Sequence, residues 1–324
     1  MVDDILVIGT GSIGKRHIQC LRDLGVTRIS ICDPNKVSLD STSSLYNIGK
    51  AYSDVDDALK HKYGAVIVAV PNHIHADISC KVIEKKMDVM IEKPIEIQFE
   101  AGRRIVEAVK RNGVVCLVGY CLRYDPGLIE IHRLLEEGKL GKIYSVDAYS
   151  GGYLPNWRPG VDYRNTYSAK AKWGGGVCLD ISHEFDYLRW LFGEADETFA
   201  IVRKQSDLEI DVEDLAECIF STDKGIIGRV RLDYLTMIPR RILTIDGSKA
   251  TVRYDFTVKE LEIKYANEDL NRTIKYNPER NVIYQSQLKH FFECIENRKK
   301  PLITAKDALK TLELALRFRA YFKK

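Results

Sequence analysis

Ile5-Leu6-Val7-Ile8-Gly9-Thr10-Gly11-Ser12-Ile13-Gly14, followed by Arg28-Ile29-Ser30-Ile31-Cys32-Asp33, decides the fold. A short apolar run stops at a glycine. A helical pattern follows over residues 12–24, with Gly25 placed to end it, and a second apolar run finishes in an acid. The glycines match G-x-G-x-x-G. Alone that match is weak, because glycines are common in turns; the strand before it, the helix after it and the terminal acid make it specific. Gly9 permits the tight turn, Gly11 lets backbone approach a pyrophosphate, and Gly14 lets the helix pack on the sheet. Ser12 and Ile13 open the helix, whose free N–H groups and positive dipole end suit phosphates. Asp33 accepts hydrogen bonds from ribose hydroxyls and repels a 2′-phosphate, and Pro34-Asn35 supplies no arginine to reverse that. The expected cofactor is NAD, with NADP second. The plain alternative is an ordinary strand–turn–helix with Asp33 as a turn residue.

Outward from this loop, strand and helix patterns alternate. Residues 65–70 are apolar on both faces, as in a central parallel strand. Helix over 75–86, strand over 88–92, helix over 98–112 and strand over 114–119 follow. Strands spaced by helices imply right-handed crossovers and a parallel sheet. Residues 1–122 therefore read as an α/β Rossmann domain for NAD(P). The pattern then changes. After a helix at 127–137, strands are expected at 143–152, 197–204, 213–222, 226–235, 241–246, 250–255 and 258–265. Asp223-Lys224-Gly225 and Asp246-Gly247 mark hairpins. One helix at 179–192 interrupts the strands, and helices at 279–298 and 304–322 close the chain. Residues 123–324 read as an α+β domain with a large, mostly antiparallel open sheet, for substrate binding and oligomerisation. The closing helix is expected to pack back on the first domain. The helices suffice for one sheet face, so a homo-dimer or homo-tetramer is expected.

Composition narrows the classes. Net charge +3 does not argue for nucleic acid, and the basic runs at 298–300 and 323–324 suit helix ends. No apolar stretch has the length for a membrane span, and Met1-Val2-Asp3-Asp4 does not begin a signal peptide. Eight cysteines without a C-x-x-C pair read as reduced thiols in a cytoplasmic protein. His73, His75 and Asp77 form no closed ligand set, so no metal is expected.

Further stretches, with the glycine loop, resemble the glucose–fructose oxidoreductase, inositol dehydrogenase and rhizopine-catabolism (Gfo/Idh/MocA) family. They are Val70-Pro71-Asn72-His73-Ile74-His75, Glu92-Lys93-Pro94, and Gly174-Gly175-Gly176 followed by Asp180, His183, Asp186, Trp190 and Gly193. Arg123-Tyr124-Asp125-Pro126 is similar to this family's entry to its second domain. The resemblance spans nearly the whole chain. It implies a Rossmann domain, an open-sheet substrate domain, and NAD(P)-dependent chemistry on sugars, sugar derivatives or cyclitols. It also makes Pro71, Asn72, His75, Glu92 and Lys93 cofactor-side residues.

Oxidising an alcohol requires removal of the hydroxyl proton, a task that suits a histidine. His183 is the candidate base. Asp180, three residues earlier, would share its helix face and orient it, or else would cap the helix. The family more often spaces this pair four apart. Lys93 ends a strand, where ligands of parallel sheets bind, and could polarise the substrate oxygen. Asp186 and Trp190 are expected to pack the helix. Residues 151–173 form a long stretch rich in rings and cations, and such stretches tend to be functional. Trp157, Arg158, Tyr163 and Arg164, with Arg123 and Tyr124, are therefore the candidate substrate contacts. A hexose derivative, nucleotide-linked in the leading special case, is expected; cover for a domain junction or an oligomer contact is the other reading of 151–173. The leading function is an NAD-dependent sugar or cyclitol dehydrogenase working from a cleft between the domains. A non-catalytic dinucleotide and sugar sensor, or an NAD-dependent glycosidase, are the alternatives.

Overall fold

A computed structural model describes residues 2–277 and 279–323. By contact the chain forms two compact units, Met1–Cys121 with Arg280–Leu312, and Leu122–Glu279 with Glu313–Lys324. The sequence pattern places one boundary, after residue 122; the contacts add two more, because segment 280–312 packs on the first unit. Within that unit the Tyr284 ring meets His17 edge-on at 5.8 Å. Gln285 donates to Asp23 at 3.0 Å and Arg298 to Asp88 at 2.7 Å.

The first unit holds strands β1 (Ile5–Ile8), β2 (Ile29–Cys32), β3 (Lys50–Tyr52), β4 (Ala65–Val68), β5 (Val89–Ile91) and β6 (Cys116–Val118). They form one parallel sheet in the order β3-β2-β1-β4-β5-β6. This is the doubly wound order, and its loops part at the carboxyl ends of β1 and β4, where ligands of such sheets lie. Every residue of β1, β2 and β4 is buried, as their two-sided apolar runs require. Helices α1 (Ser12–Asp23), α2 (Lys36–Tyr46), α3 (Val55–Ala58), α4 (His75–Glu84) and α5 (Phe99–Asn112) connect them. Apolar periodicity does not reveal β3, α2 or α3. α2 is rich in serine and buries only Leu39 and Thr42, so its apolar period is faint. Its end caps are the legible signal: Asn35 accepts from Ser38 N, and Asn47 closes it at φ 50°.

The second unit begins with α6 (Pro126–Glu136), capped by Asp125, which accepts from Gly127 N and Leu128 N. Its strands are β7 (Ile143–Gly151), β8 (Ala195–Arg203), β9 (Leu215–Thr222), β10 (Ile227–Asp233), β11 (Arg240–Gly247), β12 (Ala250–Asp255), β13 (Glu260–Tyr265) and β14 (Arg272–Lys275). The sheet order is β14-β13-β12-β11-β7-β10-β9-β8. Only β7 and β10 pair in parallel; every other neighbouring pair is antiparallel. Burial alternates along the strands. Val146, Ala148, Cys218, Val230 and Leu243 are buried, while Ile219, Ile227 and Arg229 on the opposite face are exposed.

The expected helix over 179–192 is two helices, α7 (Val177–Asp180) and α8 (His183–Phe192), separated at Ile181 (φ −100°, ψ 36°). The chain closes with α9 (Asn281–Glu296) and α10 (Ala305–Arg319). Among the described residues no helix is long and apolar enough to cross a membrane.

Candidate functional site

In the first unit the glycine loop has the shape that its spacing implies. A Cβ on Gly9 (φ 99°) would lie 2.3 Å from Ala69 O, and one on Gly14 would lie 1.9 Å from Gly9 O. Strand, turn and helix therefore touch only because both are glycine. A Cβ on Gly11 would meet nothing within 4 Å, so that side of the loop is open to a ligand. Gly11 is also the N-cap of α1, and the first turn carries no acid. The N–H groups near Ser12 and Ile13 thus meet no local carboxylate, and the loop fits a dinucleotide pyrophosphate. Asp33 follows β2. Its Oδ2 accepts from Thr10 N (2.7 Å) and Thr10 Oγ1 (2.8 Å), and its Oδ1 from Asn35 N (2.8 Å). The acid is therefore clamped to the glycine loop, with its charge held at the end of the strand.

The two motif loops after β4 and β5 are tied together. Pro71 is exposed and Asn72 buried. His75 is fully buried, with Nδ1 2.8 Å from Pro94 O and Nε2 3.0 Å from Val70 O. Burial lowers its pKa, outweighing the carbonyls and the Glu92 charge that pull the other way. Both nitrogens face backbone, and the ring braces one loop against the other. Glu92 is buried in the same region. It is 7 % exposed, and its carboxylate faces His17 and the backbone of Lys93. Lys93 itself is half-buried just beyond the carboxyl end of β5.

In the second unit Asp180 is buried, and its two oxygens take the hydroxyls of Tyr167 (2.8 Å) and Tyr234 (3.1 Å). Burial first, and the Asp180 charge second, push both phenols above their usual pKa, so both remain donors. Trp157 meets Tyr234 edge-on at 5.1 Å, and the Arg158 guanidinium lies 5.0 Å from the Tyr167 ring centre. The acid is thus held by two phenols, one of whose rings packs on an indole and the other under a guanidinium. The sequence pattern singles out neither Tyr167 nor Tyr234 as a substrate contact. Tyr167 lies in the ring-rich stretch and is open to notice there. Tyr234 follows a buried strand and reads as core.

The arrangement in this unit differs from the local sequence pattern. Asp180 ends α7 and His183 begins α8, so the shared helix face does not exist. Nor does Asp180 cap the helix: the N-cap of α8 is Ser182, and Asp180 is bonded to phenols. Arg123 is 3 % exposed and donates to both oxygens of Asp186, at 2.8 and 2.7 Å. It is a structural cation, while Asp186 and Trp190 pack as expected, the Trp190 ring stacking on His132 at 4.4 Å. Tyr124 is likewise buried. Residues 151–173 fold into short 3₁₀ turns instead of a loose loop. There Tyr163 OH accepts from Glu209 N (3.2 Å), and the exposed Arg164 pairs with Asp162 and Glu209. His183 is half-buried at the start of α8. Among the described residues no three of His, Cys, Asp or Glu gather as a metal would need.

Known proteins share this architecture. The chain is 26 % identical to scyllo-inositol 2-dehydrogenase (NAD(+)) of Bacillus subtilis strain 168, over 96 % of this chain and 91 % of that protein. It superposes on levoglucosan dehydrogenase in complex with NADH with a TM-score of 0.90 at 18 % identity, covering 98 % of this chain and 96 % of that one. For the WlbA dehydrogenase of Bordetella pertussis, solved with NADH and UDP-GlcNAcA, the TM-score is 0.83 at 23 % identity, covering 99 % and 96 %. Residues 4–120 match the oxidoreductase family's NAD-binding Rossmann fold, and residues 132–321 match that family's C-terminal alpha/beta domain. The chain belongs to the Gfo/Idh/MocA family of oxidoreductases.

Proposed function

We propose that this oxidoreductase interconverts a secondary alcohol and a ketone on a cyclitol or free sugar, with NAD in preference to NADP. The observation that carries the substrate class is the Asp180 carboxylate, set among Tyr167, Tyr234 and Trp157. A carboxylate accepts from polyol hydroxyls, and aromatic faces pack on the apolar side of a sugar ring. A nucleotide-linked sugar loses ground, because Arg123 is consumed by Asp186 and Arg164 by Asp162 and Glu209. The dinucleotide, when bound, supplies the hydride acceptor. Lys93 polarises the substrate oxygen, and His183 takes its proton as the carbonyl forms. Asp180 holds a neighbouring hydroxyl. NADH formation against a panel of cyclitols, free sugars and nucleotide sugars tests this reading; turnover of nucleotide sugars alone overturns the substrate class.

Coenzyme choice rests on Asp33. Its charge is clamped by Thr10 at the end of β2, where a 2′-phosphate would meet it. Asp33→Ser is expected to lower the NAD:NADP ratio of kcat/KM by at least about tenfold, on the order of one lost charge repulsion. An unchanged ratio removes Asp33 from the argument.

The open face of the eight-stranded sheet is proposed to meet a second copy of the chain. Phe199, Ile201, Ile219 and Ile227 are all about half-exposed there, at 57, 52, 47 and 60 %. Large apolar side chains clustered on one sheet face argue for burial against a partner. Light scattering of the purified protein should show an oligomer, and Ile219→Lys with Ile227→Lys should shift it toward monomer. A wild-type monomer at micromolar concentration contradicts the proposal.

A further inference from the structure

We propose that His17 is a positioning residue for Lys93, acting through Glu92. The inference rests on the reading of Lys93 as the group that meets the substrate oxygen. His17 lies on α1, the helix that the glycine loop opens, and is fully buried. Its Nε2 is 2.6 Å from Glu92 Oε1. A carboxylate only accepts, so that nitrogen carries the proton. The other ring nitrogen is buried with no hydrogen-bond partner. A buried imidazole that makes a single hydrogen bond is costly for the fold, where an apolar side chain would pack without that penalty. The edge-on Tyr284 ring sets its plane.

The second oxygen of Glu92 accepts the backbone N–H of Lys93 at 3.2 Å. Glu92 N donates to Val68 O (2.9 Å), and Gly119 N donates to Ile91 O (2.8 Å), so the sheet holds the backbone up to this point. The carboxylate occupies the space that a side chain at position 119 would need: a Cβ on Gly119 would fall 3.0–3.1 Å from three atoms of Glu92. Burial would raise the Glu92 pKa, but the His17 hydrogen bond and the neighbouring positive charge, Lys93 included, outweigh it and hold the group below its usual range. Glu92 is therefore a carboxylate, gripped on one oxygen by the dinucleotide helix and gripping the Lys93 backbone with the other. Neither His17 nor Glu92 has a part in the chemistry assigned to Lys93, His183 and Asp180. Their geometry joins the segment that carries Lys93 to the helix that opens at the phosphate loop.

Two variants separate this role from simple packing. His17→Leu removes the donor; His17→Gln returns an amide N–H close to the position of Nε2. Hydrogen exchange at the Lys93 amide, NADH binding by fluorescence, and kcat with KM are measured for each. In the Leu variant Lys93 exchange should rise about tenfold, with Val89–Ile91 unchanged. NADH affinity and KM should hold while kcat falls by about 10²-fold, the scale of a 1 Å misplacement. Gln should recover most of both losses. Unchanged exchange at Lys93, loosening spread along β5, or a Gln variant as slow as the Leu variant overturns the proposal. Should the Leu variant not fold, Glu92→Gln must show the same faster exchange and slower kcat; wild-type behaviour there overturns it equally. If the wild type oxidises nothing in the substrate panel, the proposed function fails, and Lys93 exchange still decides the positioning.

Discussion

Turnover by His183→Ala should fall about 10²–10⁴-fold, the range that a positioned general base contributes, with NADH affinity unchanged within about twofold. The asymmetry comes from where the residue lies. His183 begins α8 in the second unit, whereas the glycine loop and Asp33 are built entirely from the first. On the proposed reading, the substitution takes away the proton acceptor and leaves every residue of the glycine loop and Asp33 in the chain unchanged. Steady-state rates and NADH fluorescence on the same preparation check both halves. Turnover within about tenfold of wild type removes His183 from the role of base. Asp180→Asn gives a different pattern. It keeps the shape and loses the charge that Tyr167 and Tyr234 bind, so KM should rise along with the fall in kcat.

Asp186→Ala should cost about 3–5 kcal/mol of stability, several times the loss expected on breaking an exposed ion pair. Arg123 and Asp186 are 3 % and 1 % exposed and meet through two hydrogen bonds of 2.7 and 2.8 Å. Truncating the acid takes a bidentate carboxylate away from a buried guanidinium. The double variant Arg123→Met, Asp186→Leu should lose much less, since an apolar pair of similar volume replaces both desolvated charges. Urea denaturation of the three proteins distinguishes the cases. Equal losses in the single and double variants would mean that the pair acts through packing alone.

Local patterning is enough for a large share of the molecule. Period-two and period-3.6 apolar runs, glycine spacing and turn residues act over a few residues, so they are written along the chain. The parallel sheet around Ile5–Ile8, the glycine loop with Asp33 and the hairpins of the second sheet follow from them. The family resemblance adds Lys93, Asp180 and His183 as the proposed reacting groups.

Long-range pairing is hidden. Arg123 and Tyr124 look like substrate contacts in the sequence, because a cation beside a ring has the same letters whether it meets a sugar or a buried acid. Only the fold brings Asp186, sixty-three positions away, into bidentate contact with Arg123. The sequence does not show that two backbone carbonyls meet the nitrogens of His75. The helical pattern through 179–192 breaks at Ile181, where Asp180 is held by phenols from a 3₁₀ turn and from the end of β10. The partnership of His17 with Glu92 crosses seventy-five positions and has no local signature at all. Periodicity reports which face of an element is buried. It carries no information about which charge waits on the other side, and that choice is made when the elements pack.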